Sequence, residues 1–234
     1  MWGKLLLIAF GLFGVCNMYV LPLLPLYCLH SNNLPYALTE GAEMHVQMLF
    51  TGHLPAHYVY HNLQHTKAVV DAVRFIGKGS SVPSPMLAIA VAAAWFHDTG
   101  YINGNDNHEQ GSCHMMRHFL EQHGVNREMI SLAEGCIMAT RMPQNPQNLL
   151  EAIVADADLY HLATRHFFTN GNLLRQELAC SRQIIYTDKE WMEQSLRFLE
   201  THSYHTPFAI KMLEKGKKRN IKTLRAKYMA LDTG

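Results

Sequence analysis

Apolar residues recur at helical spacing along most of this chain. Val69, Val70, Val73 and Ile76 predict a helix over His61–Ile76. Gly77–Pro85 (GKGSSVPSP) predicts a loop by its turn-forming composition. Met86–Phe96 (MLAIAVAAAWF) is apolar on every face and predicts a central, fully buried helix. Gly100 is expected to stop it in a left-handed conformation. Further helices are expected over Glu109–Gln122, Arg127–Thr140 and Leu149–Thr164, the last two parted by Met142-Pro143-Gln144-Asn145-Pro146. Asp188 is read as the cap of a helix reaching Glu200, and Pro207–Lys227 as a final amphipathic helix. With no strand pattern or repeat, the class is all-α, a helical bundle whose body spans residues 42–228.

Residues 1–30 follow another rule. Leu5–Val15 is an unbroken apolar run, and apolar character continues to residue 29 with Pro22 and Pro25 inside it. A membrane anchor fits the length. A secretory signal fits Lys4 before the run, without a good cleavage site. A segment that is neither is the third reading. Residues 5–29 are thus the candidate membrane contact, and membrane-associated and cytoplasmic locations both stay open.

Composition narrows the picture. In 234 residues, 48% hydrophobic and 17% charged residues exclude a disordered chain. Twenty basic against nineteen acidic residues exclude a nucleic-acid coat, so no nucleic-acid partner is expected. Eight of the twenty basic residues lie between Lys211 and Lys227, a solvated helix face or a contact for anionic lipid or substrate. Five scattered cysteines without a CxxC pair point to a reducing compartment. Fifteen histidines draw attention to where they stand.

His97-Asp98 ends the apolar helix, where a carboxylate is costly unless compensated, and a divalent cation compensates it well. His61 and His65 are four apart on one helical face, and His65 shares the stripe of Val69, Ala72 and Ile76 that points to the core. Asp156 and Asp158 stand in an apolar run, about 200° apart around a helix, so at most one faces a given site. Periodicity does not choose between them. His108 and Glu109 follow the HD pair; Arg141 is either a phosphate clamp or a solvated loop residue. His114 and His118 read as surface or packing histidines, and Trp191, Phe198, Tyr204 and Phe208 as core.

Together, His65, His97-Asp98 and the Ala-Asp-Ala-Asp-Leu segment resemble the H…HD…D pattern of the HD superfamily of metal-dependent phosphohydrolases. The segments Tyr60–Thr66, Ala93–Gly100, Asn107–Glu109, Ile137–Thr140, Asp156–Leu159 and Phe198–Thr206 resemble bacterial single-domain members, over roughly residues 45–225. The resemblance implies His65, His97, Asp98 and Asp158 as ligands of one or two divalent ions (Mn²⁺, Mg²⁺, Fe²⁺, Ni²⁺ or Zn²⁺), with Asp156 in a supporting role. It implies His61 as general acid, as in cyclic-nucleotide phosphodiesterases; the plainer reading of His61 is a structural hydrogen bond. Asp98 counts as catalytic because it holds the ion at the reacting group. His108 is expected at a second metal or at the substrate phosphate, and Arg141 at the substrate. The implied activity is hydrolysis of a small-molecule phosphomonoester or phosphodiester, a nucleotide first among them. Two other classes stay open: an HD-fold di-iron oxygenase, with His61 and His108 as extra ligands, and a membrane-attached nucleotide sensor without turnover.

Overall fold

The computed structural model describes residues 34–104 and 106–231. The expected anchor or signal over residues 1–30 lies outside them. Among the described residues there are nine α-helices and no strand: α1 (Leu34–His53), α2 (Leu63–Gly79), α3 (Ser84–Phe96), α4 (His108–Gln122), α5 (Arg127–Met138), α6 (Leu149–Asp158), α7 (Phe167–Ser181), α8 (Asp188–Thr201) and α9 (Pro207–Leu231). Short 3-10 turns, Thr99–Asn103 and Tyr160–Ala163, follow α3 and α6. No described helix is long and apolar enough to cross a membrane.

The helix apolar on every face is the axis of the core. Ala88–Phe96 of α3 are all buried, and α1, α2, α4, α5 and α6 pack around them. Helices with one apolar stripe can wrap a helix that has no polar face to keep wet. A second core of Leu159, Leu162, Phe167, Leu199 and Leu224 joins α7, α8 and α9 to the 3-10 turn behind α6. Tyr204 is buried, while Trp191, Phe198 and Phe208 are half-buried.

Side-chain caps set where helices begin. Asn62 accepts hydrogen bonds from the N–H groups of Gln64 (2.8 Å) and His65 (3.2 Å), fixing the first turn of α2. Asn126 and Asn148 cap α5 and α6 in the same way. The cap of α8 is Thr187 rather than Asp188: its hydroxyl accepts from Glu190 N–H while the Glu190 carboxylate returns to the Thr187 N–H.

Other sequence expectations shift as well. The α2 helix runs on through Gly77–Gly79, because Gly77 faces Leu87 on α3 and burial outweighs glycine's poor helix propensity. The expected Leu149–Thr164 helix breaks at Leu159 into α6 and a 3-10 turn. The α7 helix is an addition. Gly100 has no left-handed backbone; among the described residues the positive-φ glycines are Gly104 and Gly124, and the role of Gly100 is different. Its role is close approach, since a Cβ there would sit 1.9 Å from the His108 carbonyl oxygen. That contact lets the start of α4 press against the end of α3, which carries His108 toward Asp98.

Candidate metal centre

Three elements converge at the C-terminal end of α3. The α2 first turn brings His65, the α3 terminus brings His97 and Asp98, and the last turn of α6 brings Asp158. The α3 end is tightly specified. Thr99 Oγ1 donates to the Phe96 carbonyl (2.7 Å), and Ser112 Oγ donates to the His97 carbonyl (2.6 Å) while accepting from Gly100 N–H (2.9 Å). His97 Nδ1 donates to the Ala94 carbonyl (2.8 Å), which leaves the Nε2 lone pair facing inward.

His65, His97 and Asp98 are all buried, and their ligand-type atoms lie within 4.8 Å of one another, a group able to hold a metal ion. His97 Nε2 is 3.4 Å from His65 Nε2 and 3.1 Å from Asp98 Oδ2, and His65 Nε2 is 3.4 Å from Asp98 Oδ2. Asp158 Oδ1 stands 3.2 Å from His65 Nε2 and 3.6 Å from His97 Nε2. Donors ~2.1 Å from a common tetrahedral centre would be ~3.4 Å apart. These five separations bracket that edge, while the close group itself is His65, His97 and Asp98, with Asp158 beside its two imidazoles. Although two imidazoles stand beside it, buried Asp98 Oδ2 accepts no hydrogen bond of proper direction from any described residue. A cation among the four atoms would satisfy it; the donor set, two imidazoles and two carboxylates, suits a first-row divalent ion or Mg²⁺.

The electrostatics run the same way. Burial opposes ionisation of Asp98, yet His97, His61 and His65 hold its carboxyl well below the usual carboxylate range. Burial likewise opposes Asp158, and His65 and His97 overcome it. Burial would keep His97 neutral, but Asp98 and Asp158 raise its pKa well above the ordinary imidazole value. A buried and a half-buried carboxylate thus demand positive charge, which protons on imidazole or a divalent ion can supply.

Around this group lie the other candidate residues. His61 Nδ1 is hydrogen-bonded to Glu177 Oε1, and Glu177 Oε2 accepts the backbone N–H groups of Tyr60 (2.8 Å) and His61 (3.0 Å). Burial would lower the His61 pKa, but Asp98 and Glu177 raise it. Tyr101 is sandwiched between the His61 and His108 rings, with centroids at 4.4 and 4.0 Å. His108 Nε2 lies 3.9 Å from Asp98 Oδ1 and 3.7 Å from Glu109 Oε1. Arg141 Nη2 donates to Glu109 Oε2 at 3.1 Å, so the loop arginine is tethered at the rim.

His65, His97, Asp98, Asp158, His61, His108 and Arg141 are thus gathered into one region, while His114 and His118 are exposed on α4. Asp156 turns away from the group. Its Oδ1 accepts from His205 N–H (2.7 Å), and its Oδ2 accepts from Thr206 N–H (2.8 Å) and Thr206 Oγ1 (2.7 Å). Sequence reasoning missed Glu177, Tyr101 and Ser112. Only Glu177 left a signal: it falls on the stripe of Leu173, Leu174 and Leu178, a lone carboxylate on an apolar face.

Comparison with protein-family models, curated proteins and solved structures finds no match for this chain. A His-His-Asp group recurs in unrelated metal sites, so its chemistry, rather than a lineage, must carry the functional argument.

Proposed function

We propose that this chain is a metal-dependent phosphohydrolase of HD type, acting on a small phosphomonoester or phosphodiester. One observation carries the reading: the donor atoms of His65, His97 and Asp98 lie within 4.8 Å of one another with Asp158 Oδ1 beside both imidazoles, and Asp98 Oδ2 has no hydrogen bond among the described residues. These four residues would hold a divalent ion. When bound, it supplies Lewis acidity, which acidifies water and polarises a phosphoryl oxygen.

The remaining steps belong to side chains. His61 protonates the leaving oxygen; its Nδ1 is committed to Glu177, so Nε2 is the atom that gives the proton. Asp98 and Glu177 raise the His61 pKa, which favours the protonated form this step needs. Tyr101 holds the His61 plane by stacking. Arg141, oriented by Glu109, offers its other guanidinium N–H groups to phosphoryl oxygens. His108, beside Asp98 Oδ1, assists at the phosphate or at a second ion.

The test is hydrolysis of a panel of phosphomonoesters, phosphodiesters and nucleotides by the full chain with Mn²⁺, alongside Asp98→Ala and a measurement of bound metal. Metal-dependent turnover lost in the variant is expected. Undiminished turnover in Asp98→Ala overturns the assignment. Tightly bound iron with oxygen uptake and no phosphate release would identify an oxygenase instead.

A further inference from the structure

A cavity of about 620 Å³ reaches the candidate metal centre, with His65 and Asp158 in its floor. From His65 one stripe of α2 forms a wall: Ala68, Ala72 and Phe75, about 15 Å of helix from end to end. Leu173 of α7 lines it as well, and the neutral side chains of Thr169 and Asn170 supply polarity. Among the described residues no Lys or Arg lines this cavity. Its carboxylates are Asp158 in the floor and the largely exposed Asp71 on α2, 3.5 Å from Arg74; His161 and His166 line it too, and Arg165 Nε lies 3.3 Å from His166 Nε2 at the surface.

This distribution of charge constrains what fits. Each additional phosphate of a polyphosphate chain gains most from Lys or Arg, and along the α2 wall it would meet apolar side chains and the Asp71 carboxylate instead. An uncharged arm gains from the same wall by leaving water.

Resting on the hydrolase reading, we infer that the ligand of this site is an ester with a single phosphate and an uncharged, largely apolar arm. The phosphate sits at the His65–Asp158 floor, and the arm lies along Ala68, Ala72 and Phe75. Nucleoside di- and triphosphates are disfavoured.

Titration calorimetry on the full chain with Mn²⁺ tests this with non-hydrolysable probes: methylphosphonate, phenylphosphonate and the methylene analogue of ADP. Phenylphosphonate is expected to bind at least about tenfold tighter than methylphosphonate, with the ADP analogue weaker than phenylphosphonate. Ala68 is exposed on the cavity wall, so Ala68→Trp fills the arm's space without disturbing the core. It should erase the phenyl advantage and leave methylphosphonate binding unchanged. Asp71→Lys should strengthen binding of the ADP analogue about tenfold. Equal affinity for the two phosphonates, tightest binding of the ADP analogue, silence of both variants, or no binding of any probe overturns the inference. The two readings fail separately. Probes that bind as expected while phenyl phosphate is never hydrolysed would refute the hydrolase, and ADP hydrolysed faster than phenyl phosphate would refute only the ligand class.

Discussion

Asp156 and Asp158 leave the same helix two residues apart and enter opposite surroundings. Asp156 ties α6 to the start of α9: three donors from His205 and Thr206 reach its oxygens, and Thr206 Oγ1 in turn accepts from Ala209 N–H. Asp158 faces two imidazoles across from Asp98, whose Oδ2 has no hydrogen bond among the described residues. Burial raises the Asp156 pKa despite its hydrogen bonds, whereas the imidazoles pull that of Asp158 well below its ordinary value. A buried carboxylate saturated by N–H and O–H donors is a joint. One facing only two imidazoles, beside an unsatisfied oxygen, can exchange their protons for a cation.

The sharpest break in this contrast comes from Asp98→Ala. Loss of the ligand should abolish Mn²⁺ binding and cut turnover by at least about 10³-fold, read by metal analysis and steady-state rates. Next come the paired variants. Asp158→Asn should lower activity about 100-fold with little change in thermal midpoint. Asp156→Asn should keep Mn²⁺ binding but lose about 1–3 kcal/mol in denaturant unfolding, because an amide cannot accept all three hydrogen bonds. The reverse order would mean the two roles are exchanged.

Glu177→Gln should cost about tenfold in kcat and move the alkaline limb of the pH–rate profile to lower pH. The sign follows from charge. Glu177 helps to raise the His61 pKa, so its removal lets the ring lose its proton at a lower pH, and the acid form disappears earlier. An unmoved limb would reduce Glu177 to scaffolding. The smallest effect belongs to His118→Ala on the exposed face of α4: within about 0.5 kcal/mol of wild type and with unchanged Mn²⁺ affinity.

Much of the helical order was legible because each core-facing helix carries its own stripe, and α3 announces its centrality by lacking a polar face. His61, His65 and the HD pair were legible because they lie at short spacings on single helices. Choosing Asp158 over Asp156 was not possible from periodicity, since both sit in the same apolar run; the discriminating partners, Thr206 and His65, lie far away in the chain. The α7 helix escaped notice because Phe167–Ser181 mixes Thr, Asn and Gly among its apolar residues and buries only Phe167 and Glu177 fully. Gly100 misled for a related reason, since a glycine beside a helix end suggests a turn, while its true constraint is a carbonyl arriving from α4.

The bond from Glu177 to the His61 backbone spans 116 residues. During synthesis, His61, His65, His97, Asp98 and Asp158 all emerge from the ribosome before Glu177 does. A nascent chain that has not yet reached α7 therefore carries every donor of the candidate metal centre, while the turn bearing His61 lacks the Glu177 carboxylate behind it. On the proposed hydrolase reading, competence arrives late in translation, and the same bond that orients one imidazole makes that chemistry wait until Glu177 has been made.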